Sequence, residues 1–210
     1  MRAGHGGAFL VPSPVCPYTF GMVISFFYLF VFLFAAIIHE VAHGAMAYKL
    51  GDPTAKDAGR LTLNPVRHID PIGSIALPMM LYIFHSPILF GWAKPVPFNP
   101  MFLKNPKRDG GLIALAGPAT NFAVAASFYG IMTGMSAAGV VVPNLPTFLS
   151  IIIYVNVWLG IINLVPLPPL DGSKVLFMLL PKKWHGVELF LEKNGPILLM
   201  VLILILLFFF

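Results

Sequence analysis

Nineteen consecutive residues of this chain, Phe20 to Ile38, carry no charged side chain. As an α-helix rising about 1.5 Å per residue, the run is roughly 29 Å long, which matches the hydrocarbon core of one bilayer. It continues without a break into His39-Glu40-Val41-Ala42-His43, and the first helix-terminating sequence is Gly51-Asp52-Pro53. The sequence therefore predicts a membrane helix that ends near Leu50 and carries two histidines and a glutamate in its last turns.

The composition of the 210 residues is that of a membrane protein, with 58% hydrophobic and only 10% charged residues. Soluble domains carry about 25% charged residues, so this chain lacks the polar side chains that would cover a water-soluble globule. The net charge of +5 does not indicate nucleic acid binding, because the basic residues lie between apolar runs and form no single stripe. The lone cysteine, Cys16, excludes an intrachain disulfide and a cysteine-based metal site.

Apolar and polar segments alternate along the rest of the chain. This pattern predicts an all-α polytopic membrane protein with about four to six membrane helices. Residues 1–17, rich in glycine and proline, are expected to form an irregular tail, and residues 18–210 a single integral-membrane domain. Further helices are predicted at 110–135 and 147–163. Residues 59–65 alternate briefly between apolar and polar side chains, which adds a short β-like edge to the expected fold.

The lysines and arginines gather in three polar segments. Segments 49–71, 92–109 and 174–193 hold four each, whereas the connection 139–146 holds none. Basic loops of membrane proteins stay in the cytoplasm. We therefore expect all three segments on the cytoplasmic side.

The path of residues 72–91 decides whether that arrangement is possible. If they crossed the membrane, the second basic segment would lie opposite the first. If they are re-entrant, all three basic segments share one side, and Pro78 and Pro87 suit such a broken segment. The re-entrant path also brings Asp171 to the same side as His39 and His43, so the sequence favours it.

His39 and His43 are four residues apart on the predicted helix, so both imidazoles can converge on one metal ion. Glu40 lies beside them and is a candidate general base for water activation. A polar seam that only packs helices is the simpler explanation of these residues. Ionisable side chains inside a membrane are costly and usually functional, however, which favours a zinc site.

A catalytic zinc site needs a third protein ligand and an open fourth position. Of the eight acidic residues, only Glu40 and Asp171 have long apolar flanks. Asp171 is therefore the best oxygen ligand. It can also cap the helix that follows, with Gly172 and Ser173 as the first helical residues.

Two motifs stand far apart in this chain, His39-Glu40-Val41-Ala42-His43 and Asn163-x-x-Pro166-x-Pro168-x-Leu170-Asp171-Gly172. Together they resemble the site-2 protease family of intramembrane zinc metalloproteases. Three further segments resemble its compact bacterial and archaeal branch, in which we expect no PDZ or CBS domain: Gly59-Arg-Leu-Thr-Leu-Asn-Pro65, His68-Ile-Asp-Pro-Ile-Gly73 and Ala116-Gly-Pro-Ala-Thr-Asn121.

The resemblance implies an enzyme that hydrolyses peptide bonds within the membrane, near its cytoplasmic face, in regulated proteolysis or in the clearance of membrane remnants. It implies one zinc ion per chain, held by His39, His43 and Asp171. Glu40 is then the catalytic base and acid, and Asn163 helps to hold the substrate or the oxyanion. The expected partners are single-span membrane protein substrates within the lipid bilayer of a prokaryotic plasma membrane; no nucleic acid is expected.

Further predictions concern substrate binding. The segment Leu61, Thr62 and Leu63 can pair with an unwound substrate by strand addition. Asn121 either hydrogen-bonds between helices or contacts the substrate.

Three other polar side chains receive no firm role. His68 and Asp70 form either a solvated loop pair or supports of a loop or of the zinc shell. His85 marks the tip of the re-entrant segment.

Two other classes of protein stay open at this point. One is a zinc-binding membrane protein without catalysis, such as a transporter, although transporters carry repeated halves or further intramembrane carboxylates. The other is a structural partner protein, which does not explain why Glu40 and Asp171 stand in apolar surroundings.

Overall fold

The computed structural model describes residues 17–84 and 94–209, and every regular element within those ranges is helical. The all-α class predicted from the sequence is therefore confirmed. Shorter 3-10 turns and one π-helical turn connect the α-helices. The α-helices are α1 Pro17–Lys49, α2 Thr54–Asp57, α3 Leu77–Ile83, α4 Pro106–Ala137, α5 Leu145–Asn163, α6 Asp171–Leu179 and α7 His185–Phe209.

Helix α1 is one uninterrupted helix of 33 residues, as the uncharged run predicts. It stops at the predicted place. Gly51 adopts φ +110°, a conformation that glycine tolerates because it lacks a Cβ, and the helix does not continue through Asp52 and Pro53. The motif His39–His43 therefore lies in the last turns of a membrane-length helix.

Helix α4 is central, because it packs against α1, α5 and α6. Its N-terminus is capped by Asn105, whose side-chain oxygen accepts the backbone N–H of Arg108. Asp109 in turn accepts the backbone N–H of Asn105 at 2.9 Å. Ile113, Gly117 and Asn121 are buried on the inner face of the helix. This face meets α1 at the level of the histidines.

Three helices in the described ranges are long and apolar enough to cross a membrane: Gly21–Lys49, Pro106–Ala137 and Leu145–Asn163. Their outer faces carry exposed apolar side chains such as Phe26 and Ile131, which suit a lipid environment. The chain has the architecture of a multi-pass membrane protein. The larger number of spans expected from the sequence stays a prediction.

Two apolar clusters hold α1 in place. Val31, Ala35 and Val155 join α1 to α5. Ala47 and Ile113, with Leu103, form a second cluster close to the C-terminal end of α1. The histidine motif lies between the two clusters along the helix, so packing fixes α1 on both sides of it.

The segment after α2 is irregular, and the predicted β-like edge is not formed there. Residues 60–64 have no strand pairing, and the 3-10 turn Pro65–Arg67 follows at once. The brief alternation does not produce a strand, because a strand needs backbone hydrogen bonds to a partner strand. Here the carbonyl oxygen of Thr62 instead accepts a hydrogen bond from the side chain of His68 at 2.7 Å. The loop is thus closed by a side chain.

Residues 71–84 form a π-helical turn, Pro71–Ala76, that continues into the short helix α3. The rest of the predicted re-entrant segment lies outside the described residues, as do His85 and nearly all of the N-terminal tail. The re-entrant path therefore stays a prediction.

Asp52 joins residues 94–99, an irregular loop that precedes α4, to the end of α1. The residue is fully buried. One of its carboxylate oxygens accepts the backbone N–H of Asn99 at 2.6 Å, and the other accepts the backbone N–H of Thr54 at 2.9 Å. Burial raises the pKa of Asp52, but hydrogen bonds from the hydroxyl and N–H of Thr54 and from Asn99 outweigh it, so the pKa is lowered.

Candidate active site

Three side chains from two distant motifs meet at one point. Oδ2 of Asp171 lies 2.9 Å from Nε2 of His39 and 3.1 Å from Nε2 of His43. The three ligand atoms lie within 4.8 Å of one another, close enough to bind a single metal ion. The grouping proposed from the sequence is therefore present in the fold, although Asp171 is more than 120 positions away from both histidines.

The tautomers of the two histidines fit a metal site. Nδ1 of His39 donates to Oδ1 of Asn121 at 2.7 Å, and Nδ1 of His43 donates to the carbonyl oxygen of Ile113 at 2.6 Å. The oxygen of Asn121 faces His39 because its amide nitrogen donates to Asn156 at 2.9 Å.

Neutral imidazoles with hydrogen on Nδ1 carry a lone pair on Nε2. In these tautomers both lone pairs point at the carboxylate of Asp171, so three acceptor atoms converge on one point. Such a group of atoms suits a metal cation, and two imidazoles with one carboxylate are suited to zinc. The residues present therefore fit the metal that the sequence predicts.

Gly117 makes room for both histidine rings. A Cβ atom at this position would lie 2.6 Å from ring atoms of His39 and also 2.6 Å from His43. Such contacts are far below van der Waals distance, so only glycine permits α4 to approach α1 this closely. Gly117 and Asn121 are four residues apart on one face of α4, and together they shape and orient the histidine pair.

Asp171 is the first residue of α6, after the irregular segment that contains Pro166, Pro168 and Pro169. The capping role predicted for its side chain is wrong, because the side chain faces the histidines and the N-cap position is Leu170. Ser173 closes the first turn instead, its hydroxyl donating to the carbonyl oxygen of Leu170 at 2.7 Å. The carboxylate of Asp171 is therefore free of the helix backbone.

Glu40 is held by a loop whose position beside it could not be predicted from the sequence. Its Oε2 accepts the backbone N–H of Val96 at 2.8 Å. Val96 is buried, between Pro95 and Pro97. The candidate base thus has one carboxylate oxygen fixed by backbone.

The other predicted site residues occupy several environments. Asn163, at the end of α5, donates its amide to the carbonyl oxygen of Leu159 at 3.0 Å. Asn121 is fully buried behind His39 and bridges three helices, which corresponds to the interhelical alternative. Its predicted contact with substrate stays a prediction.

The loop residues predicted to bind substrate are not equivalent. Leu61 packs against α1, where a Cβ on Gly44 would meet its Cδ2 at 2.8 Å. Thr62 receives the hydrogen bond from His68. Leu63 has 56% of its surface exposed and is the one whose side chain is open to a ligand.

His68 and Asp70 are structural supports of the loop. His68 is fully buried, so the solvated pair predicted from the sequence is wrong for it. Its backbone oxygen also accepts the N–H of Lys94 at 2.8 Å. Asp70 caps the π-helical turn by accepting the N–H groups of Ile72 and Gly73.

Comparison with known proteins decides the family. The profile of Peptidase family M50 matches residues 130–209, which include Asn163 and Asp171. The Bacillus subtilis protein named "Putative zinc metalloprotease YwhC" is 39% identical over 170 residues, covering 79% of this chain and 74% of that protein. The chain belongs to peptidase family M50. The resemblance to the site-2 protease family is thereby confirmed, and zinc is the metal of this family's metalloproteases.

More distant relatives include two mycobacterial proteins named "Putative zinc metalloprotease Rip2". The Mycolicibacterium smegmatis protein is 29% identical over 145 residues, and the Mycobacterium tuberculosis protein is 29% identical over 148 residues. This chain spans 53% of the length of each. No solved structure matches the chain.

Proposed function

We propose that this M50 protein is an intramembrane zinc endopeptidase that hydrolyses peptide bonds in the transmembrane segments of single-span membrane proteins. One observation carries the proposal. His39 and His43, in the last turns of a helix long enough to span a bilayer, converge with Asp171 through acceptor atoms, and Glu40 lies next to His39 on that helix. A metal site at that depth supports chemistry on a substrate that is itself in the membrane.

The chain's own residues divide the work as follows. His39, His43 and Asp171 would hold a zinc ion, and that ion would supply Lewis-acid polarisation of water and of the scissile carbonyl. Glu40 takes the proton from the attacking water and returns it to the leaving amine. Asn163 stabilises the developing oxyanion or holds the substrate.

The substrate must expose an extended backbone, because a helix conceals its carbonyl groups in internal hydrogen bonds. Leu63 supports the proposed substrate contact, since it is exposed on the loop that covers the end of α1. Pairing with this loop would need a local rearrangement, because residues 61–63 are not a strand.

We place the active site towards the cytoplasmic face of a prokaryotic plasma membrane. Lys49, Lys56 and Arg60 follow the histidine motif at the same end of α1, and basic segments favour the cytoplasm. Reporter fusions within residues 94–109 test this orientation. A cytoplasmic reading supports it, and an external reading overturns both the orientation and the re-entrant path.

Wild type and Glu40→Gln, purified in detergent, test the catalytic proposal. Both should bind about one zinc ion per chain, because Glu40 is not a ligand, and only wild type should cleave a panel of single-span substrates. Cleavage by Glu40→Gln at the wild-type rate would exclude Glu40 as the base. Equal zinc binding with no cleavage by either protein would favour the non-catalytic zinc-binding alternative.

A further inference from the structure

The carboxylate of Glu40 is positioned by a segment from a distant part of the chain. Val96, 56 residues away in sequence, donates its backbone N–H to Oε2 of Glu40 at 2.8 Å. One oxygen is thereby fixed, and the proposed function assigns the proton transfer to the other, Oε1. The geometry of a general base depends on its carboxylate orientation, so whatever fixes Val96 also fixes the base.

Val96 belongs to a stiff stretch. Pro95 and Pro97 each fix their own φ, and a residue that precedes proline is restricted to extended conformations. Lys94 and Val96 both precede a proline. The four residues 94–97 therefore act as a short rigid arm, and its position depends on how it is anchored.

Arg60 anchors this arm at its N-terminal end. Its Nη2 donates to the carbonyl oxygens of Lys94 at 3.0 Å and of Pro95 at 3.2 Å, and its Nη1 donates to the carbonyl oxygen of Arg67. A planar guanidinium presents its donors on separate nitrogens in a fixed fork and can span several carbonyls in this way, whereas an ammonium group has all its donors on one nitrogen. The arm and the loop after α2 are thus joined through one side chain.

Gly44 leaves space on α1 for both the loop after α2 and the arm of residues 94–97. A Cβ on Gly44 would lie 2.8 Å from Leu61 and 2.8 Å from Val96. Leu61, which follows Arg60, and Val96, which contacts Glu40, therefore pack side by side on α1, directly after His43. Arg60 directly precedes Leu61 in the loop and so lies next to this contact with Gly44.

We propose that Arg60 is a positioning residue for Glu40. Arg60 clamps the backbone of Lys94 and Pro95, so that the N–H of Val96 stays hydrogen-bonded to the Glu40 carboxylate. The part that concerns catalysis rests on the proposed function, in which Glu40 is the base. The clamp itself is a property of the fold. The two can therefore be tested separately.

Amide hydrogen exchange of the zinc-loaded protein in detergent tests the clamp without any need for activity. Arg60→Ala should accelerate exchange at the Val96 amide by at least about tenfold, while the Asn99 amide, which Asp52 holds, stays protected. Arg108→Ala removes an equal charge from an exposed position on α4 and should change neither amide. Unchanged exchange at Val96 in Arg60→Ala would overturn the proposal.

If Arg60→Ala does not fold, Glu40→Ala provides a second test of the contact between Glu40 and the Val96 amide. It should accelerate exchange at Val96 and leave Lys94 protected, since Lys94 donates to His68. A Val96 amide that stays equally protected would show that Glu40 is not its partner. Arg60→Lys should lie between wild type and Arg60→Ala, and full protection in the lysine variant would exclude a clamp that depends on the guanidinium fork.

Kinetics test the catalytic part. We expect Arg60→Ala to lower kcat by about 10- to 100-fold with unchanged KM and zinc content, since only the base is displaced. A rise in KM with unchanged kcat would instead make Arg60 a substrate-binding residue. If wild type shows no cleavage at all, the proposed function fails, while the exchange pattern still decides the clamp.

Discussion

Oδ1 of Asn121 lies 2.7 Å from Nδ1 of His39, and this contact directs Nε2 of the imidazole towards Asp171. Partners that hold the second nitrogen of a ligand histidine fix its tautomer and its orientation. We expect Asn121→Leu to weaken zinc affinity by about 10- to 100-fold, as measured by competition with a chromogenic chelator.

Thr133→Ala is the matched control for that variant. Thr133 is also polar and on α4, but its hydroxyl bonds only to backbone oxygens of its own helix and is exposed. It should keep wild-type zinc affinity. Tight zinc binding by Asn121→Leu would show that His39 does not need this support.

Gly117→Ala should abolish zinc binding, because the new methyl group would lie 2.6 Å from ring atoms of both histidines. The helices must separate or the imidazoles must rotate, and either change disperses the three ligand atoms. Zinc content after gel filtration is the measurement. Gly110→Ala on the same helix meets nothing within 4 Å, so it should retain zinc and be as stable as wild type or slightly more so. Equal zinc content in both variants would contradict the close approach.

The long helices and the candidate metal ligands could be predicted from the sequence, because each has a strong local signal. An uncharged run of membrane length predicts α1, and the spacing of His39 and His43 places both on one face. Asp171 could be selected since it is one of two carboxylates in apolar flanks. These features depend on residues close to one another in sequence or, for Asp171, on the small number of carboxylates in apolar surroundings.

The surroundings of the site could not be predicted in the same way. The contact between Glu40 and Val96 joins a helix to an irregular loop, and irregular loops have no periodicity to read. The alternation at residues 59–65 suggested an edge strand, but no strand in residues 17–84 and 94–209 pairs with it. Gly117 and Asn121 carried a usable signal, their spacing of four on α4, yet only the packing of α4 on α1 shows what that face contacts.

Asp52→Asn should destabilise the protein at neutral pH by about 1–3 kcal/mol, because a buried carboxylate with several backbone donors is replaced by an amide that accepts on one side only. The folded pKa of Asp52 lies below its ordinary value of 3.8. Its contribution to stability is therefore complete above that value and declines as the pH falls through the folded pKa.

The stability difference between wild type and Asp52→Asn should accordingly shrink in acid. Thermal unfolding in detergent, followed from pH 7 down to about pH 3, measures it. Asp57→Asn, an exposed carboxylate on neighbouring α2, serves as the control and should match wild type throughout. A difference that grows as the pH falls would reverse the sign of the pKa shift.

Zinc should stabilise the folded protein, since its ligands join α1 to α6, two helices that are far apart in sequence. Free zinc at 100 times its Kd adds about 2.7 kcal/mol to the free energy of unfolding. Removal with a chelator should therefore lower the Tm, and added zinc should restore it. Asp171→Ala should have a low Tm that zinc does not raise, whereas Asp57→Ala should respond like wild type. A zinc-dependent rise that persists in Asp171→Ala would place the stabilising metal elsewhere in the chain.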